Sequence, residues 1–456
     1  MPEGLNRFAI KAASAVFGDK HQMDMHRKNT VSTTQDVVDI CHTPDHIGVL
    51  LRWQGFKFAL LRPTGEQVRN MLRFAAARRF VFNRALALNN EMYPLSGRKH
   101  SQYQMDKLIP VWKEEFPWLS EVPSQTLQQA LKDLYRGYTN FKEGRAKFPT
   151  FAKKGKKDSF RYPQGFELDN QNGRVWLPKL GWMCYRKSQD ILGEVKHVTV
   201  SKSCGKWFVS MPTEREVEKP RHPSTSAVGM DWGVTNFATL SNGEVLDQCQ
   251  PLKQFLPKLA KLQRCMAGKK KFSNNWKKAK AKIQKLHNKI TNIRKDFVHQ
   301  ASNDISKSHA VVIVEDLQVK NMRASAKGTK QEPGKNVAQK SGLNRSVLDA
   351  SPFALRRQLE YKTQWSGGLL VLVPPRNTSR TCPKWLGGCG HVSADNRKTQ
   401  AKFACVKCGF SAPADLVGAE NIKEAGLALL ACGDTSPGVR ASAQEPTEAT
   451  QAQRCA

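Results

Sequence analysis

Residues 227–240 read AVGMDWGVTNFATL, and residues 311–316 read VVIVED. AVGMD is a short apolar run that ends in an acid, the pattern of a buried strand. FATLS and EVL then flank Asn242-Gly243, a dipeptide suited to the left-handed backbone of a two-residue hairpin. VVIV is a second buried strand, and Glu315 terminates it. A third acid, Asp415, opens a helix expected from about Ala414 to Leu430.

Acids at the edge of a hydrophobic sheet are costly unless they are paired or hold a cation. Asp231, Glu315 and Asp415 are hard oxygen donors, which suit Mg²⁺. Two such ions held by bridging carboxylates activate water and stabilise a leaving oxygen in phosphodiester hydrolysis. Each acid also has a plain structural role open to it: a strand-end cap for Asp231, a helix N-cap for Asp415, and an exchange of places between Glu315 and Asp316. The strand–hairpin–strand order, with an acid on the first strand, suggests an RNase H-like sheet.

The composition points the same way. Lys and Arg total 73 against 39 Asp and Glu, a net charge of +34 over 456 residues. Such a chain repels itself unless a polyanion screens it, and phosphate neutralisation releases condensed counterions. No stretch reaches the ~20 apolar residues of a membrane span. The N-terminus lacks a long apolar core of the kind a secretory signal needs, so a reducing cytoplasm is expected. There, eleven cysteines suggest metal ligands or free thiols instead of disulfides.

Outward from the two strands, the chain changes character several times. Residues 1–51 carry no clear motif and read as a poorly ordered extension. Phe56 to Leu61 is strand-like. Thr64 and Gln67 fit a capping box ahead of a helix with Val68, Met71, Leu72, Ala75 and Phe82 on one stripe. A second helix starts near Ser124, with Leu127, Leu131, Leu134, Tyr138 and Phe141 apolar. Residues 144–162 interleave lysines and arginines with Phe148, Phe151, Phe160 and Tyr162, rings that could stack on bases; a solvated basic loop is the plainer reading. Short strands follow at Arg174–Leu177, Glu194–Val200 and Trp207–Met211. From Leu252 to His309 the chain is helical, with a packing seam (Trp276, Ala279, Ile283, Leu286, Ile290, Ile293, Phe297) opposite a row of lysines. Residues 323–342 read as a mobile loop, Ser351 to Trp365 as a helix, Leu369 to Val373 as a strand, and Gly433 onward as a disordered tail.

Cys382, Cys389, Cys405 and Cys408 lie within 27 residues. Cys405-Val-Lys-Cys408-Gly409 has the spacing of a zinc knuckle, and thiolates bind Zn²⁺ tetrahedrally. The first pair, CPKWLGGC, has six residues between its cysteines, wider than usual. His391 is a possible substitute ligand. Four thiolates leave no open coordination position, so this zinc would be structural.

The order of these motifs resembles the TnpB family, insertion-sequence proteins of the OrfB type related to compact type V CRISPR nucleases. FKFALLRPTGEQ, RRFVFNRALALNNE, FPTFAKKGKKDSFR and LPKLGWMCYR are similar to its N-terminal half. GMDWGVTNFATL, VVIVEDLQVKNM, LNRSVLDASPFALRRQLEYK, the cysteine cluster and ADLVGAENI are similar to its nuclease half. The resemblance spans about residues 53–430. It implies an α/β multidomain protein: an N-terminal extension (1–51), a β-barrel wedge domain (52–62 and 146–220) interrupted by a helical recognition domain (63–145), an RNase H-like (RuvC) nuclease domain (221–380 and 412–432) with a helical insertion (252–309), an inserted zinc ribbon (381–411), and a disordered tail (433–456).

By the same resemblance, Asp231, Glu315 and Asp415 are the catalytic ligands of two Mg²⁺ ions, and Cys382, Cys389, Cys405 and Cys408 hold one structural Zn²⁺. A guide RNA would choose a double-stranded DNA target by base pairing, and the protein would read a short flanking motif. The setting implied is a bacterial cytoplasm, on the nucleoid when DNA is bound. Val417 and Glu420 stand where Asn and Arg often follow the last Asp. The alternatives are a nuclease-inactive, RNA-guided repressor, a transposase acting directly on DNA, and a generic zinc-ribbon RNA-binding protein.

Overall fold

The computed structural model describes residues 49–431 apart from 327, 330 and 333. The expected N-terminal extension and C-terminal tail lie almost wholly outside these residues. Four sheets are present among the described residues.

The N-terminal part is built on one long antiparallel pair. β1 (Val49–Ala59) runs against β8 (Lys206–Glu218) in unbroken register from Val49↔Glu218 to Ala59↔Phe208. The strand therefore starts earlier than position 52. Its first residues alternate outward, with Val49 and Leu51 exposed, so burial gives no cue to its beginning. β7 (Val198–Ser203) and β2 (Ser159–Tyr162) extend this sheet, and β6 (Glu194–Val195) pairs with β8. A separate meander comprises β3 (Glu167–Asp169), β4 (Arg174–Leu177) and β5 (Gly181–Cys184).

Three helices follow: α1 (Gly65–Ser96) and α3 (Ser124–Lys142) pack on β2 of the first sheet, and α2 (Gln102–Glu115) packs on α3. The Thr64 capping box forms as expected, with Thr64 Oγ1 accepting from the Gln67 amide and Gln67 Oε1 accepting from the Thr64 amide. The Gln67 Nε2 amide also donates to the carbonyls of Leu180 and Trp182, which ties the helix start to β5. Met71, Phe74, Leu127, Leu131, Phe160, Val200 and Val209 share one core. Phe160 and Tyr162 are 2% and 0% exposed. They fill this core and offer no stacking face, because the strand β2 turns them inward; Phe148 and Phe151 remain exposed.

The second part is a three-layer sandwich. Its sheet runs β11 (Val245–Asp247), β10 (Asn236–Leu240), β9 (Ala227–Trp232), β12 (Val311–Glu315), β13 (Leu369–Val373). The first three strands are antiparallel; β12 is parallel to both β9 and β13. Strand β12 has no polar alternation because both its faces are covered. Val312 and Val314 pack with Val298, Ile305, Leu355 and Leu359 on one side. Val311 and Ile313 pack with Val371, Val373 and Ile422 on the other.

The helical insertion is a hairpin of α4 (Pro251–Ala267) and α5 (Asn274–Ser308). The expected seam holds: Ile283, Leu286 and Ile290 bury against Leu259, Leu252, Phe255, Leu262 and Met266. Residues 323–342 are not wholly a loop, since α7 (Val337–Ala350) follows the single-turn α6 (Val319–Met322). Asp349, 4% exposed, explains its place: it accepts from the backbone amides of Leu252 and Lys253 and pairs with Arg294, fixing the start of α4. Ser351 takes a left-handed backbone between α7 and α8 (Pro352–Trp365). No helix among the described residues is long and apolar enough to cross a membrane.

The last helix, α9 (Ala414–Ala431), crosses the sheet at very close range. A Cβ on Gly229 would sit 2.1 Å from the carbonyl oxygen of Ala419, and one on Gly426 would sit 2.4 Å from Ile313. Overpacking of this kind typically costs about 1–3 kcal/mol. Gly229→Ala is therefore expected to lower the melting temperature measurably, by an amount at the upper end of that range or beyond. An unchanged melting curve would mean that the helix is not seated as described.

Candidate active site

Asp231 and Glu315 are brought together by strand register. Met230 lies opposite Val314 in the parallel pair, so the two acids follow on neighbouring strands at the same sheet edge. Asp415 arrives from above, in the first turn of α9, where the helix dipole favours an anion. Gly418, one turn further, makes room for Asp231: a Cβ there would lie 2.7 Å from Asp231 Oδ2.

Burial pushes the Asp231 carboxyl up to about 7, and the nearby charges of Glu315 and Asp415 add to the shift, while Arg397 opposes it. Three acids therefore share one electrostatic environment. Asp316 does not join them; it pairs with Arg356. The Thr378 hydroxyl donates to Glu315 Oε1 at 2.6 Å, and Arg397 Nη2 lies 3.3 Å from Asp415 Oδ1. Asn421 Nδ2 holds the Thr378 segment by donating to the carbonyls of Thr378 (2.7 Å) and Thr381 (2.8 Å).

The three carboxylates are not gathered as tightly as the cysteines. Among the described residues, only the four sulfurs form a group of three or more potential metal ligands all within 4.8 Å of one another. Like charges repel, and two of the acids are drawn to Thr378 and Arg397. The hard oxygen donors and their uncompensated repulsion fit a divalent cation. Sequence reasoning missed Thr378 and Arg397. Neither belongs to a local motif; each matters only because the fold brings it to a distant acid.

Cys382, Cys389, Cys405 and Cys408 converge as expected. Cys382 and Cys408 sulfurs lie 3.7 Å apart, as do those of Cys389 and Cys405. The wide first knuckle is absorbed by a short 3₁₀ turn at Lys384–Leu386 and a left-handed Gly387. Burial disfavours the Cys405 thiolate, but the backbone amides of Cys408 and Lys407 together with the Cys408 and Cys382 thiols outweigh it and draw the thiol down to about 6. His391 contributes its carbonyl to the Cys382 amide and its ring is outside the cluster. β14 (Lys402–Ala404) and β15 (Ser411–Pro413) pair beside these sulfurs and lead directly into α9. The donor set is the one zinc takes in closed structural sites.

Comparison with known proteins shows the family. Residues 210–326 match the OrfB_IS605 family model, described as "Probable transposase". Residues 353–422 match the Cas12f1-like TNB domain. Residues 54–98 match a model described as a helix-turn-helix domain, although here they form a strand end and one long helix. "Putative RNA-guided DNA endonuclease InsQ" of Escherichia coli (strain K12) is 52% identical over 404 residues, covering 88% of this chain and 99% of the relative. "Putative RNA-guided DNA endonuclease" of Streptomyces pristinaespiralis is 34% identical over 412 residues, covering 87% and 97%. The cryo-EM structure of a Cas12f1–sgRNA–target DNA complex shares the fold, with a TM-score of 0.50 at 14% identity, covering 78% of this chain and 82% of that one. On the strength of the two relatives matched over nearly their whole length, the chain belongs to the TnpB family of the OrfB IS605 type.

Proposed function

We propose that this chain is an RNA-guided DNA endonuclease of insertion-sequence type that hydrolyses phosphodiesters at Asp231, Glu315 and Asp415. The observation that carries the reading is the meeting of three acids from distant segments at one sheet edge, with Asp231 raised to about 7 by burial and by the other two. The sandwich is read as an RNase H-like (RuvC) domain, the cysteine cluster as its zinc ribbon, and the N-terminal sheet and helices as wedge and recognition domains. Its partners are a guide RNA and a double-stranded DNA target, and its net charge of +34 suits both.

Mg²⁺, when bound, activates the attacking water and stabilises the leaving oxygen. The chain's residues prepare for that. Asp231, raised to about 7, is only partly ionised at neutral pH while no cation is present, which limits repulsion among the acids. Thr378 orients Glu315, and Arg397 restrains Asp415 and offsets part of the negative charge. A nuclease-inactive binder would be expected to lack one of the acids, and all three are retained. Cys382, Cys389, Cys405 and Cys408 would hold a structural Zn²⁺, which would keep the segment between Thr378 and Asp415 in shape.

Asp231→Asn is expected to abolish Mg²⁺-dependent cleavage while RNA and target binding persist; cleavage at the parental rate would sink the assignment. The pH dependence follows from the raised carboxyl. Its stabilising contribution is complete below about 3.8, the ordinary value, and is lost as pH rises through about 7. In EDTA, the wild-type melting temperature should fall relative to Asp231→Asn between these limits, and saturating Mg²⁺ should reverse the difference at high pH. Parallel melting curves would contradict this. Cys405→Ser should reduce bound zinc to well below one per chain and lower the melting temperature. Full zinc content by metal analysis would refute the four-thiolate site.

A further inference from the structure

The carboxylates stand at the edge of the sheet where β9 and β12 end. A cavity of about 550 Å³ lies at the opposite edge, between the two halves of the chain. Arg52 and Gln54 of β1 form one wall. His299, Asn303 and Ser306, on one stripe of α5, form the floor, and Lys362 and Trp365 at the end of α8 close the other side. Strand β12 is five residues long. At roughly 3.3 Å per residue, whatever fills this cavity is well removed from the acids and is not the bond being cut.

The lining has a specific character. The Arg52 guanidinium lies 4.5 Å from the centre of the Trp365 ring and donates to the Trp365 carbonyl at 2.8 Å. Its buried Nε has no hydrogen-bond partner among the described residues. With Tyr361 edge-on to the Trp365 ring at 4.9 Å, this wall is aromatic and cationic. Gln54, Asn303 and Ser306 add neutral donors and acceptors. His299 is neutral too, since burial, with Lys362, Lys295 and Arg357 nearby, lowers its ring to about 4. The Lys362 ammonium is fixed at the rim by the His299 carbonyl (2.6 Å) and Ser302 Oγ (2.8 Å). A carboxylate, Asp296, also borders the space. It can accept from the amino edge of a base, while Arg52 and Lys362 in the same lining suit the phosphate of a nucleotide.

We propose that this cavity takes one splayed-out nucleotide of the guide RNA, its base stacked on the Arg52–Trp365 pair and its edge read by His299 and Asn303. Single-stranded RNA is recognised by such unstacked bases on aromatic or guanidinium planes, with the 2′-hydroxyl as a further donor and acceptor. A nucleotide there touches β1 on one side and α5 and α8 on the other. RNA loading would thus clamp the N-terminal sheet to the sandwich. The inference rests on the RNA-guided reading above and adds a residue-level site to it.

The test uses the full chain purified with its cellular RNA. Ultraviolet crosslinking and peptide mass spectrometry should give nucleotide adducts within residues 296–306 or 361–366. Arg52→Ala should weaken binding of the recovered RNA by about tenfold, as loss of one stacked base does, and Asn303→Leu, which removes an edge contact, by about the factor that one lost hydrogen bond gives. Replacing that nucleotide by its 2′-deoxy form should weaken binding as well. If discrete RNA copurifies but adducts fall elsewhere and both variants bind within about twofold of the parent, the cavity assignment is overturned and the RNA-guided reading stands. If no discrete RNA copurifies, the RNA-guided reading fails and the assignment with it. Tight binding of free adenosine or uridine monophosphate by RNA-stripped protein, with the RNA complex unaffected by the variants, would make the cavity a small-molecule site and overturn the proposal.

Discussion

The site depends on how closely one helix can lie on one strand. Gly229 places no side chain between β9 and α9, so the helix backbone rests directly on the sheet at Ala419. That contact fixes the height of the helix. Gly418 then lets the helix pass over Asp231, and Asp415 in the preceding turn is set down at the same sheet edge as Asp231 and Glu315. Ile422 and Gly426 continue the contact over Ile313. A single side chain at the first crossing would lift the helix and take the third acid with it.

The electrostatics follow from that placement. Bringing three acids to a largely buried edge raises the cost of ionising Asp231, and Arg397 compensates only in part. The supporting contacts divide the set: Glu315 leans on Thr378, Asp415 on Arg397, and Asp231 is only partly ionised near neutrality. Hard oxygen donors that repel one another in this way are the kind that suit a divalent cation. The cysteine cluster is divided in another way: hydrogen bonds favour the Cys405 thiolate, while burial pushes the Cys382 thiol up to about 12.

Much of this was legible in the chain. The apolar run at 311–314 has no polar alternation, and that alone announces a strand covered on both faces. Asn242-Gly243 marked the hairpin, Thr64 and Gln67 the helix start, and four cysteines the cluster. What escaped was set by tertiary contacts. Helix Val337–Ala350 has a weak apolar stripe and a polar beginning; it is held by Asp349, whose partners Leu252, Lys253 and Arg294 are far away in sequence. Phe160 and Tyr162 looked like a nucleic-acid surface because basic residues precede them, and only the pairing of β2 with β7 shows them inside. Thr378 and Arg397 carry no signature of their own.

Thr378 and Arg397 both lie in the connection between β13 and α9, the same connection that the four sulfurs close on themselves. An unclosed excursion from residue 374 to 413 would leave the orientation of both side chains to the entropy of a long loop. Gathering four thiols within 4.8 Å of one another folds that excursion back on itself and removes much of that freedom. The sulfurs at one end of the crossover thereby act as a tensioner for the two side chains that lean on the acids at the other.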